Sequence, residues 1–170
     1  RLTDVTGVQT CALPISSYWD PARGTRRPVY FHEFVHAWLA QAGGLACEGG
    51  WLHEGVANHY QLRMVPQDGL AERIAKSVAD GATKPFAELC TDRPVRVAEY
   101  WQLMTLFRMF LEREPYATRL PALFTAVRDA NTFDLGRHLQ PVFGVDEARL
   151  TADWRDFCAG AYGAPPRVSP

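Results

Sequence analysis

The stretch His32-Glu33-Phe34-Val35-His36, followed by Trp51-Leu52-His53-Glu54-Gly55-Val56-Ala57, decides how this chain reads. Pro28 stands just before the first segment and Gly43-Gly44 just after it. Proline is tolerated at a first helical position and glycine ends helices, so the punctuation predicts a helix over residues 28–42. On such a helix His32 and His36 lie about 40° apart around the axis, with Cβ atoms roughly 6 Å apart. Two imidazoles at that spacing reach one Zn²⁺ at about 2.0–2.1 Å. Glu33 falls about 100° from His32 and about 60° from His36, beside the ion, where a carboxylate takes a proton from activated water.

A catalytic zinc centre needs three protein ligands and one open position. Glu54, eighteen positions after His36, is the natural third ligand. It belongs on a second helix beginning near Leu52, because the loop Gly44–Gly50 must first reverse the chain. Gly55 and Ala57 are small, which predicts a close approach of this helix to the first. By composition alone the His-Glu-x-x-His pattern arises in on the order of one in a few hundred chains of this length. The added glutamate makes coincidence a poorer account.

The remaining pattern is helical. Phe31, Val35, Trp38 and Leu39 form an apolar face on the first helix. Residues 67–79 read as a charged amphipathic helix ending at Gly81, and 85–90 as one short turn. Residues 95–114 carry the longest stripe, with Tyr100, Leu103, Met104, Leu106, Phe107, Phe110 and Leu111, a core pattern. Helices over 116–129, 132–143 and 146–159 complete the set, with Pro141 bending or ending the second of these. The segment 16–27, with Asp20-Pro21 and Gly24, is turn-rich and polar, and no strand pair stands out. The tail 164–170 is expected to fray. The expectation is a mainly α chain.

Hydrophobic residues make up 47% and charged residues 22% of the 170 positions, with a net charge of −1. That is ordinary globular composition. The absence of a basic stripe argues against nucleic acid as a partner, and no apolar run reaches the roughly 18–20 residues that span a bilayer. Residues 5–15, Val-Thr-Gly-Val-Gln-Thr-Cys-Ala-Leu-Pro-Ile, match codon for codon the translation of a common sequencing adapter. Residues 1–15 are therefore read as non-native and set aside from fold reasoning. The expected domain covers 16–163, with an N-terminus that says nothing of leaders or upstream domains; the compartment stays open, an extracytoplasmic one included. Cys47, Cys90 and Cys158 then remain, an odd, widely spaced set that leaves both one disulfide and none open. Cys47 lies between the two ligand segments, where a thiol reads either as structural or as a fourth ligand.

His32-Glu33-Phe34-Val35-His36 with Trp51-Leu52-His53-Glu54-Gly55-Val56-Ala57 resembles the gluzincin zinc metallopeptidases, and within them the bacterial peptidase MA-like domains. Residues 99–111, and 142–144 with 154–157, resemble later segments of those domains more loosely, so the likeness spans about 28–158. It implies a zincin-like, helical catalytic fragment lacking most of an N-terminal sheet, which here is reduced to Ser17-Tyr18-Trp19 or displaced by residues 1–15. It implies a Zn²⁺ cofactor on His32, His36 and Glu54, with Glu33 as general base and then acid, and a peptide or protein substrate. It also implies a tyrosine donor to the oxyanion, for which Tyr100 is the candidate and Tyr60 a weaker one. Asn58, four residues after Glu54, takes the place from which the family orients a ligand histidine. His53 and His59 read as rim or surface residues and His138 as structural. A non-catalytic binding scaffold or inactive fragment is the competing reading, and hydrolysis of a non-peptide amide a third.

Overall fold

The computed structural model describes residues 18–20, 25–27, 29–45 and 49–163. Residues 1–15, Cys47 and the tail 164–170, about which the sequence raised expectations, lie outside them. The domain is mainly α, as the periodicity predicts. One departure stands at its start. Strands β1 (Tyr18–Asp20) and β2 (Thr25–Arg27) pair antiparallel, with Tyr18 opposite Arg27. Three residues per strand are too few for alternation to show in sequence, which is why no strand pair was legible there.

Helix α1 (Val29–Gln41) ends where the glycines require. A Cβ on Gly43 would stand 2.6 Å from the Leu39 carbonyl oxygen, so only glycine fits. Gly44 then takes a left-handed φ of 65°, and Leu45 N–H returns to the Leu39 carbonyl at 3.1 Å. This turn buries Leu45 and starts the reversal into α2 (Trp51–Met64). Leu39 is buried as its apolar face predicts, but Trp38 is 54% exposed, and Phe34 beside it 66%. Among the described residues α1 packs chiefly on α2, so the side turned from α2 stays open to solvent.

The chain continues through α3 (Leu70–Ala79), the one-turn α4 (Phe86–Leu89) and a 3₁₀ turn (Val97–Glu99) into α5 (Tyr100–Glu112). Then come α6 (Tyr116–Ala130), α7 (Leu135–His138), a π-helical turn (Leu139–Phe143) at Pro141, and α8 (Glu147–Tyr162). Helix α3 starts three residues later than its pattern suggests, because Gly69 sits at a φ of 66°. The stripe of α5 is core: Leu103, Met104, Leu106, Phe107 and Phe110 are all buried. Trp154 of α8 is buried against Phe86 and donates its indole N–H to Thr105 Oγ at 3.0 Å. No described helix is long and apolar enough to cross a membrane.

Helix α2 is central. Its first seven residues, Trp51 to Ala57, are all buried, with α1 on one side and α5 on the other. The sequence assigns Gly55 to the α1 contact, and the structure corrects this. Gly55 faces α5, where a Cβ would stand 2.9 Å from the Leu103 carbonyl oxygen and 3.5 Å from Phe107 Cβ. Backbone cannot swing aside as a flexible side chain does, so two helices must separate to admit a methyl group. Gly55→Ala is therefore expected to destabilise the protein by about 1–3 kcal/mol, the usual cost of overpacking. The check is a lower urea midpoint at unchanged denaturant slope; a midpoint equal to the parent's would mean that α2 and α5 part freely.

Candidate metal centre

Helix α1 presents His32 and His36 on the side that meets α2, and α2 presents Glu54 from its first turn toward them. One ligand atom from each of the three lies within 4.8 Å of the others. His32 Nε2 is 3.2 Å from Glu54 Oε2, His36 Nε2 is 3.5 Å from Glu54 Oε1, and the two Nε2 atoms are 2.9 Å apart. Both imidazoles thus converge through the same nitrogen, with the carboxylate closing the third side. Glu54 Oε2 is buried and makes no well-aligned hydrogen bond among the described residues, with His32 Nε2 at 3.2 Å as its close polar neighbour. A carboxylate oxygen so weakly compensated in the interior is costly. A cation between the three groups would compensate it, so the residues fit a divalent metal.

Electrostatics keep His36 and Glu54 in ligating form. Burial holds the His36 imidazole down to about 4, with His32 and His53 adding to the effect and Glu54 opposing it. Burial alone would raise the Glu54 carboxyl, yet the neighbouring His32, His36 and Tyr100 together hold it below its ordinary value. Neutral imidazole and ionised carboxylate are the forms a metal needs.

Tyr100, the first residue of α5, stacks beside His32 with ring centroids 6.2 Å apart. Burial raises its phenol well above the ordinary range, and the charges of Glu54 and Glu33 raise it further. The hydroxyl therefore keeps its proton beside the site. Tyr60 is elsewhere: it packs on His59, whose other ring contact is Phe107.

Three other residues differ from the sequence reading. Asn58 donates from Nδ2 to the Glu54 carbonyl oxygen at 2.8 Å, a bond along its own helix, while His36 Nδ1 faces His53 and His32 Nδ1 has no partner among the described residues, so neither ligand imidazole is bonded to the Asn58 side-chain oxygen there. His53, read as a rim residue, is only 2% exposed. Its Nε2 lies 2.7 Å from the Leu45 carbonyl oxygen and its Nδ1 lies 3.4 Å from His36 Nδ1. Its adjacency to Glu54 was the available signal, but burial depended on the chain folding back at Gly44. His59 is likewise buried, not superficial. His138 is buried and bonded to the Thr132 carbonyl, a structural role as expected. Cys90 and Cys158 are both free and buried, so these two thiols do not pair; burial pushes the Cys158 thiol up to about 12.

Fold and centre together define a helical domain with a His/His/Glu group able to coordinate a metal ion. Compared with protein-family models, with curated proteins and with solved structures, the chain finds no match in any of the three.

The buried histidines make stability depend on pH. His36 and His59 both stand at about 4 in the folded chain against an ordinary 6.5. Between those values the unfolded chain takes up protons that the folded one refuses, so metal-free stability falls as pH drops through this window. Each histidine contributes a slope of at most about 1.4 kcal/mol per pH unit. His59→Leu is expected to flatten urea-derived stability between pH 7 and 4; an unchanged slope would remove His59 from the account.

Proposed function

We propose that this domain is a zinc-dependent peptidase of the gluzincin type, with His32, His36 and Glu54 as ligands. The observation that carries the reading is that helical spacing and tertiary packing agree. His32 and His36 converge through their Nε2 atoms on the residue the sequence nominates as third ligand. Two imidazoles and one carboxylate form a donor set used by catalytic zinc, leaving a fourth position for water or substrate. Zn²⁺, when bound there, supplies Lewis acidity that lowers the pKa of water and polarises a carbonyl.

The chain's own groups supply the rest. Glu33 follows His32 on α1 and its charge is felt at Tyr100, so base and phenol share the neighbourhood of the cluster. In this reading the Glu33 carboxylate takes the proton of the attacking water and passes it to the departing amine nitrogen. Tyr100, kept protonated by its surroundings, donates its O–H to the oxyanion of the peptide carbonyl. In this reading the substrate is a peptide or protein; a non-peptide amide would use the same base and oxyanion donor, and substrate profiling separates the two.

Metal analysis of the purified protein should return one equivalent of zinc. His36→Ala and Glu54→Ala are expected to lose it. Glu33→Gln should keep the zinc while losing cleavage of a peptide mixture by about 10²–10⁴-fold, the usual worth of a general base. Metal retained with no cleavage by the parent would favour a binding scaffold, and no metal would sink the site itself. Tyr100→Phe should lower kcat by about 10²–10³-fold with KM little changed. Loss confined to KM would make Tyr100 a binding residue instead. Zinc at a hundred times its Kd should also stabilise the fold by about 2.7 kcal/mol, a gain that Glu54→Ala should abolish in thermal melts.

A further inference from the structure

We infer that His53 is a positioning residue for the metal centre: it accepts the His36 Nδ1 proton and thereby leaves the His36 Nε2 lone pair aimed at the ion. The inference rests on the proposed metal site and adds to it a residue that neither ligand spacing nor the family resemblance assigns.

The argument begins at the Leu45 carbonyl. A carbonyl oxygen only accepts, so His53 Nε2, 2.7 Å away, carries the proton and donates it. In the neutral ring Nδ1 is then a bare acceptor. That nitrogen is the one facing His36 Nδ1, at 3.4 Å. Two acceptors would repel, so His36 Nδ1 carries the proton between them. His36 Nε2 is left with its lone pair, and this is the atom that points toward His32 Nε2 and Glu54. The proton placement runs without conflict from a backbone carbonyl to a metal ligand.

Ring geometry supports a bond rather than face stacking. The His36 and His53 centroids are 5.6 Å apart and the planes only 12° from parallel. With the Nδ1 atoms 3.4 Å apart, a centroid separation this large puts both Nδ1 atoms close to the line between the ring centres. The rings meet edge to edge and nearly coplanar, the alignment that an N–H donor and a ring lone pair require. His53 is also held in place. It is buried on the first turn of α2 and packs edge-on against Phe133 at 6.0 Å. The Phe133 carbonyl in turn accepts from the Trp51 indole N–H. Metal-binding histidines usually give their second nitrogen to a carboxylate, a carbonyl or water. Here a second histidine does the work, and the turn at Gly44-Leu45 holds that histidine. By contrast His32 Nδ1 is buried without a partner among the described residues, so the two ligand histidines are not equivalently supported.

Long-range ¹H–¹⁵N correlation spectra of the metal-free protein read the tautomers directly. His36 is expected with its proton on Nδ1 and His53 with its proton on Nε2; His36 protonated on Nε2 overturns the inference. Zinc titration of two variants supplies the second readout. His53→Phe keeps a ring against Phe133 but offers no acceptor, and should weaken zinc binding about 10–100-fold. His53→Asn places its Oδ1 where Nδ1 stood and should recover most of that loss. A packing role alone predicts the reverse order. The inference fails if the Phe variant binds as tightly as the parent, or if Asn binds no better than Phe. If the parent takes up no zinc the metal assignment falls, and the tautomer spectra still decide whether the His36–His53 bond exists.

Discussion

Glu54 is a carboxylate carried to 4% exposure inside a helical domain, and the surrounding arrangement answers the cost of that burial. An ionised group in the interior persists only when opposite charge or hydrogen-bond donors compensate its lost hydration. Two imidazole nitrogens at 3.2 and 3.5 Å supply part of that compensation, and a cation between the three groups would supply more. The core around α2 surrounds this group. Gly55, the next residue, lets α5 close against the back of α2, while α1 closes the front.

A graded environment results on a single helix. Trp51 and Leu52 are buried and apolar, and Trp51 is tied by its indole to the Phe133 carbonyl. His53 and Glu54 are buried and polar, each facing α1 or the loop that follows it. Gly55 touches the α5 backbone. Trp51 thus anchors the helix, His53 and Glu54 face the candidate metal centre, and Gly55 permits the close approach of α5. A change that moves α2 by a fraction of an ångström disturbs all four, which is why distant packing and site chemistry are inseparable here.

Much of the architecture was legible in sequence. The long apolar stripe of residues 95–114 is the buried α5, shortened at its start by a 3₁₀ turn. Gly43-Gly44 end α1 as glycine should: a side chain at Gly43 would clash with the Leu39 carbonyl, and Gly44 takes a left-handed φ. Trp38 shows the limit: its position on the helical wheel suited a core face, but no described helix covers that side. Asn58 shows another. Its spacing from Glu54 suited an imidazole partner, yet an amide four residues on bonds its own helix carbonyl more readily.

The sequence by itself determined the spacing of the candidate ligands His32 and His36 on α1, the nomination of Glu54 beside them, and the helical class. These follow from a period of 3.6 residues and from local capping, both properties of neighbours along the chain. Only the tertiary structure decided that Gly55 serves α5 rather than α1, that Tyr100 faces Glu54, and that His53 is buried against His36 and the Leu45 carbonyl. Each of those depends on which distant segment occupies a given helix face. A local period states that a face exists and says nothing of what will cover it.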